Sequence, residues 1–136
     1  GQAYCWGRNN DGQGGDGRKT TRKPPRTGNM PDGVAFSRVA VGEYIACGEG
    51  TNGRLYCWGR NINGLLVTDD FTESTVPVEI STPGGMTLTD VSIGSLHACA
   101  RSTAGQAYCW GWNGLGQLGD GTKTQKLGMF PVAGSY

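Results

Sequence analysis

The stretch that decides the fold is Gly1-Gln-Ala-Tyr-Cys-Trp-Gly7, which returns unchanged at Gly105–Gly111. A close variant, Gly53-Arg-Leu-Tyr-Cys-Trp-Gly59, stands midway between them. The three copies are spaced by 52 residues, and so are Cys47 and Cys99, Val39 and Val91, Gly42 and Gly94, Pro25 and Pro77, and Pro31 and Pro83. Gly1–Gly17 and Gly105–Gly121 share 13 of 17 residues. A fixed period near fifty residues is the signature of an array whose units stack on one another, as in propellers and solenoids. The units read as 1–52, 53–104 and a partial third at 105–136. A module of this kind buries its apolar face against its neighbours, and about three are needed for stability. The chain is therefore expected to be a segment of a longer protein or the ordered part of an assembly.

Each unit reads as strands. Phe36-Ser-Arg-Val-Ala-Val-Gly42 aligns with Leu88-Thr-Asp-Val-Ser-Ile-Gly94, and both alternate apolar with polar residues as a half-buried strand does. A cysteine-bearing strand follows, Tyr44–Gly48 or Leu96–Arg101. A Gly-rich turn then leads back through Leu55–Gly59 or Ala107–Gly111. The chain continues through a Gly/Asn loop and a Pro-flanked apolar segment such as Val76–Ile80. No segment carries a helical period at helical length. Four short antiparallel strands per repeat is the arithmetic of a propeller blade, so the expected class is all-β, an incomplete propeller of about two and a half units. Unit 1 is expected to start at the last strand of a blade.

The same hairpin organises the cysteines. Cys47 and Cys57 are ten residues apart, as are Cys99 and Cys109. A hairpin folded near Asn52 sets the first pair opposite each other, within reach of a disulfide. We expect the pairs Cys47–Cys57 and Cys99–Cys109, with Cys5 left unpaired because its partner would fall ten residues upstream of it. Such bonds point to an oxidising compartment: extracellular, cell surface or periplasmic.

The run Gly-Gln-Ala-Tyr-Cys-Trp-Gly-Trp-Asn-Gly-Leu-Gly-Gln-Leu-Gly-Asp-Gly at 105–121, preceded by Val91-Ser-Ile-Gly-Ser-Leu-His-Ala-Cys-Ala100, resembles the repeat of the regulator-of-chromosome-condensation family. The resemblance covers essentially the whole chain. It implies a β-propeller, seven-bladed in the best-known members, and the paired cysteines look like a secreted or surface-attached branch. On this reading Trp6, Trp58 and Trp110 pack between blades. The sequence departs from the pattern where Ile45 replaces His97 of the next unit, and where Gly64-Leu-Leu-Val-Thr-Asp69 replaces Gly116-Gln-Leu-Gly-Asp-Gly121. The founding nuclear member acts as an exchange factor for a small GTPase. No motif here matches that role, and it is not carried over.

Chemistry-bearing motifs are sparse. His97 is the one histidine, and its repeat counterpart is Ile45, which makes it architectural. There is no nucleophile elbow, zinc-ligand grouping, phosphate loop or dinucleotide fingerprint. We therefore expect no enzyme, cofactor or metal. Asp11–Gly17 faintly resembles a calcium turn but lacks the oxygen-ligand density of one. Formal net charge is +1 and no apolar run is long enough to span a bilayer, so neither nucleic-acid binding nor membrane insertion is expected.

What remains is surface. Arg18, Lys19, Arg22, Lys23 and Arg26 make a basic loop. Asp69, Asp70 and Glu73 make an acidic one in the equivalent place of the next unit. Opposite loops are expected to meet between copies. Leu65 and Leu66 interrupt a normally polar turn and are candidate contact residues, as is Trp112, whose counterparts are Arg8 and Arg60. The expected function is a non-enzymatic extracellular or cell-surface structural or protein-interaction module, one version being a fibre subunit. The alternatives are a secreted propeller that binds or inhibits a partner protein, and a carbohydrate-binding propeller.

Overall fold

The computed structural model describes residues 1–68 and 72–134. Among the described residues ten strands follow one another: β1 (Tyr4–Gly7), β2 (Arg22–Thr27), β3 (Phe36–Val41), β4 (Ile45–Gly50), β5 (Leu55–Arg60), β6 (Glu73–Glu79), β7 (Leu88–Ile93), β8 (His97–Ser102), β9 (Ala107–Gly111) and β10 (Phe130–Pro131). They form two antiparallel four-stranded sheets, ordered β3-β4-β5-β6 and β7-β8-β9-β10, and a two-stranded sheet β1-β2. Among the described residues, helical structure is confined to single 3-10 turns at Ile62–Gly64 and Pro83–Gly85. These sheets are propeller blades, and the period-2 alternation of the sequence is what makes each of them two-faced.

One expectation needs correction. The Tyr-Cys-Trp-Gly strand is the third of its blade, not the last. β5 is bonded to β4 on one edge and to β6 on the other, with Cys57 opposite both Cys47 and Val78. The fourth strand extends further back than Val76 because Ser74 and Glu73 also pair, with Gly59 and Arg60.

The hairpins have a local cause. Gly53 takes φ +78°, and its N–H donates to the Gly50 carbonyl at 3.0 Å, which closes the β4–β5 turn. The register then sets Cys47 against Cys57, and in the next blade Cys99 against Cys109; both pairs are disulfide-bonded. The Trp-Gly glycines of the two complete blades have a steric cause too. At Gly59 (φ +112°) a Cβ would stand 2.3 Å from the Tyr44 carbonyl oxygen. At Gly111 (φ +99°) it would stand 2.6 Å from that of Leu96. Only glycine permits the backbone to pass so close with a positive φ.

The main core lies between the two complete blades. Ile45, Leu55 and Ile80 of one meet Leu88, Val91 and Trp110 of the next. A second cluster joins the first blade to its neighbour: Ala3, Phe36, Ala46, Tyr56 and Trp58, with Phe36 and Trp58 stacked 5.7 Å apart at 8°.

Cys47 and Cys57 close a loop of about 11 residues, for which chain entropy gives about 2–3 kcal/mol. The double variant Cys47→Ala/Cys57→Ala should lose that much stability in urea unfolding followed by tryptophan fluorescence, with an unchanged far-ultraviolet spectrum at zero denaturant.

Candidate interaction surface

The repeated residues go into scaffolding. Asn9 accepts from the Gly14 N–H at 2.7 Å, and its Nδ2 donates to the carbonyls of Arg18 (2.9 Å) and Thr20 (3.3 Å). Asn61 accepts from Leu66 N–H at 2.8 Å and donates to the Thr68 carbonyl. Asn113 accepts from Leu118 N–H at 3.1 Å and donates to the carbonyls of Thr122 and Thr124. One asparagine thus folds the loop after each Trp-Gly around itself. A side-chain amide has both an acceptor and two donors for that purpose.

The loop so formed presents a carbonyl to the next blade. Trp58 Nε1 donates to the Gln13 carbonyl at 2.7 Å and Trp110 Nε1 to the Leu65 carbonyl at 3.0 Å, each across 45 residues. Gln13 and Leu65 hold the same place, four residues after the loop asparagine. Trp58 and Trp110 are buried at 1% and 0% exposure. Trp6 does not match them. It is 65% exposed.

The candidate contact residues divide. Leu65 and Leu66 are not a contact surface: they are 0% and 2% exposed and belong to the main core. The drifted turn folds down onto the next blade, where the Leu65 side chain approaches Gly111. Trp112 is half-buried, with its ring so close over Gly114 that a Cβ there would meet it at 2.6 Å. Asp69 and Asp70 lie outside the described residues, as does the side chain of Arg22. Arg18, Lys19, Lys23 and Arg26 are exposed. The opposite-charge contact expected between copies occurs within one chain, since Lys19 Nζ pairs with Glu73 Oε1. The two loops are neighbours because Gly17 N–H donates to the Thr75 carbonyl at 2.9 Å. His97 opens β8 opposite Gly111 and is half-buried against Gly94. The Asp11–Gly17 turn uses its own carboxylates, Asp11 with Arg8 and Gln13, and Asp16 with the Arg18 N–H.

Sequence reasoning missed a set of acids that tie the complete blades together. Asp90 bulges out of β7 with φ +56°. It receives Arg38 from the neighbouring blade at 2.9 Å and Arg101 from its own at 2.6 Å. The Arg101 hydrogen bond, with Arg38 beside it, holds the Asp90 carboxyl below the ordinary carboxylate range. Glu49 on β4 reaches across the blades and accepts from the Val91 N–H at 2.8 Å, a donor that the bulge at Asp90 removes from the ladder. Glu43 accepts from the Ser95 hydroxyl at 2.7 Å, which with other hydrogen bonds lowers its pKa. A positive φ at an aspartate was the one signal available, and sequence does not display φ.

A groove of about 390 Å³ runs beside β1, lined among others by Tyr4, Cys5, Trp6, Arg26, Val39 and Val41. Burial and the nearby Asp16 push the Cys5 thiol pKa up.

The repeat geometry has known counterparts. The family described as "Regulator of chromosome condensation (RCC1) repeat" matches residues 1–49, 52–101 and 104–133. The chain belongs to the RCC1 repeat family. A second description of the same repeat matches 36–64 and 88–117. The ultraviolet-B receptor UVR8 of Arabidopsis thaliana is 31% identical over 126 residues, covering 93% of this chain and 29% of the receptor. The human E3 ubiquitin-protein ligase HERC2 is 32% identical over 139 residues, covering 93% of this chain and 3% of the ligase. Prp20p of Saccharomyces cerevisiae, whose structure is described together with its binding to Gsp1p and histones, superposes with a TM-score of 0.83 at 22% identity. That match covers 98% of this chain and 34% of Prp20p. At such identity the likeness speaks for the fold alone. RCC1 repeats of this chain are therefore propeller blades, and the chain spans between 3% and 34% of these relatives' length.

Two outcomes test this geometry. A depressed carboxylate contributes stability that is complete above its unfolded value, near 3.9. That stability is lost as pH falls through the lower folded value. The denaturant midpoint should therefore fall on acidification below about pH 4, and Asp90→Asn should flatten part of that slope. Salt should weaken the difference, because the three partners are half-exposed. Trp110→Phe removes the indole N–H and leaves the buried Leu65 carbonyl without its donor. Loss of the hydrogen bond and of packing volume should cost roughly 2–4 kcal/mol in urea unfolding.

Proposed function

We propose that this chain is a non-enzymatic protein-interaction module of RCC1 repeats, working outside the cell or on its surface, whose binding face is the basic ribbon of Arg18, Lys19, Lys23 and Arg26. One observation carries the reading. In the two complete blades the residues that recur every 52 positions, Cys, Trp, Asn and the Trp-Gly glycine, are used inside the structure, whereas the exposed positions differ from unit to unit. A scaffold that repeats while its surface varies is what loop-borne recognition needs.

Electrostatics favours an acidic partner. The ribbon lies on and before β2, an edge strand whose Pro24 and Pro25 have no N–H to offer. Prolines and cations discourage another strand from pairing with the edge, so recognition would run through side chains. Lys19 is engaged with Glu73 in the same chain, which leaves Arg18, Lys23 and Arg26 as the main contacts. The two disulfides support an oxidising location. Prp20p is described as binding proteins, and UVR8 as a receptor, which is the precedent for this use of the fold. The ligase activity named for HERC2 is not proposed here, because the chain matches 3% of that protein.

The test is fluorescence anisotropy with a labelled poly-glutamate peptide at low and physiological salt. Wild type should bind, and more weakly as salt rises. The variant Arg18→Glu/Lys23→Glu/Arg26→Glu should bind at least about tenfold more weakly with an unchanged thermal midpoint. Equal binding by the two would overturn the assignment of the face.

A further inference from the structure

One repeat position is used differently in the middle unit. Gln2, Arg54 and Gln106 are equivalent, each standing just before the Tyr-Cys-Trp strand of its unit. The two glutamines do the same thing. Gln2 Nε2 donates to the Gly28 carbonyl at 3.2 Å, and Gln106 Nε2 to the Val132 carbonyl at 3.3 Å. Gly28 and Val132 are themselves equivalent, and the residue that holds their place in the middle unit is Ile80. The backbone there is alike in all three units: Gly28, Ile80 and Val132 donate their N–H groups to the carbonyls of Ala3, Leu55 and Ala107. A primary carboxamide thus caps the chain where it leaves β2 and β10.

After β6 that cap is absent. Arg54 turns instead to Glu79, with Nη1 and Oε1 2.7 Å apart. The counterparts of Glu79 are Thr27 and Pro131, so only the middle unit sets a carboxylate there. Among the described residues, no group donates to the Ile80 carbonyl, although Ile80 is only 2% exposed. A buried acceptor without a donor is costly, and each such case calls for a partner. At the same place lies a recess of about 230 Å³, lined by Arg54, Leu55, Glu79, Ile80, Ser81 and Met86 among others. The sheets on either side of it, β3-β4-β5-β6 and β7-β8-β9-β10, both have their four strands.

The lining narrows the choice of occupant. Arg54 and Glu79 satisfy each other, so a charged ligand would enter without a counter-charge of its own. The Ile80 carbonyl and the second Glu79 oxygen are acceptors. The Ser81 hydroxyl, which has no hydrogen bond among the described residues, is both donor and acceptor. Leu55 and Met86 add apolar wall. A neutral primary amide brings two N–H donors and one carbonyl to such a set. It is also the group that fills this position in the two sister units.

We propose that this recess is a binding site for a primary carboxamide, the side chain of a glutamine or asparagine on a partner protein, which supplies from outside the hydrogen bond that Gln2 and Gln106 supply from within. The site uses no residue of the basic ribbon and takes a neutral group. It rests on the protein-interaction reading only in that the carboxamide is carried by a protein.

The test titrates the natural full-length protein with acetyl-Gly-Gln-Gly-methylamide, followed by saturation-transfer NMR of the peptide. The same peptide with methionine in place of glutamine has a side chain of similar length and no N–H, and it should bind at least about tenfold more weakly. Arg54→Gln should rebuild the cap of the sister units, weakening the glutamine peptide by the same factor and raising the urea midpoint. Arg54→Ala opens the recess without supplying an amide and should keep the binding. Equal binding of the two peptides, or undiminished binding by Arg54→Gln, overturns the proposal. So does displacement of the glutamine peptide by N-acetylglucosamine at a lower concentration than the peptide's own, which would make the recess a sugar site. Binding of poly-glutamate is read on other residues, so failure of one reading leaves the other standing.

Discussion

The indole N–H of a tryptophan at the end of one strand meets a backbone carbonyl in the loop of the preceding unit, and the arrangement of the blades depends on that contact. Trp58 finds the Gln13 carbonyl and Trp110 the Leu65 carbonyl. A buried indole without an acceptor is costly, so the loop must hold its carbonyl in one place. Asn9 and Asn61 do this by accepting one N–H and donating to a carbonyl further along. The Trp-Gly glycine lets the strand leave at the angle that places the loop. The recurring residues are one device repeated, and each copy fixes the position of its neighbour.

That device tolerates a change of side chain where it uses only backbone. Gln13, Leu65 and Gln117 occupy the same position, and in the first two the carbonyl is what the next tryptophan needs. The side chain is then free to serve the local environment. The Gln13 amide donates to the Glu43 carbonyl at 3.0 Å, while Leu65 fills the core beneath Gly111. An apolar turn that resembles an exposed contact patch is, for this reason, interior. Between the complete blades a second layer of contacts is polar: Asp90 with two arginines, and Glu49 with a backbone N–H released by a bulge. Apolar packing supplies most of the free energy, and the polar contacts fix the register in which the blades meet.

Much of the fold was legible in the sequence, and the reason is periodicity. A repeat of 52 residues, alternation over six-residue stretches and turn glycines at fixed offsets are local facts, and they lead directly to stacked four-stranded sheets. The place of Tyr-Cys-Trp-Gly within the blade was less legible. A hairpin shows which strands are adjacent, but not whether another strand adds to the free edge, and β6 comes from a segment that follows a long loop. The candidate surface was legible only as charge. Sequence marked the basic ribbon as exposed and polar, but placed its acidic counterpart across a contact between copies. Glu73 is instead brought to Lys19 within the chain by the docking of adjacent blades.

By itself, then, the sequence determined the repeat, the strand order within each hairpin and the pairs of positions that face one another, since these follow from spacing along the chain. Tertiary structure decided which surfaces survive. It buried Leu65 and Leu66, drew Asp90 and Glu49 into the seam between blades, and left Trp6, Tyr4 and Val41 open beside a strand whose copies are enclosed. Exposure depends on what stands beside a residue in space, and for residues 45 or 52 positions apart no local pattern records it.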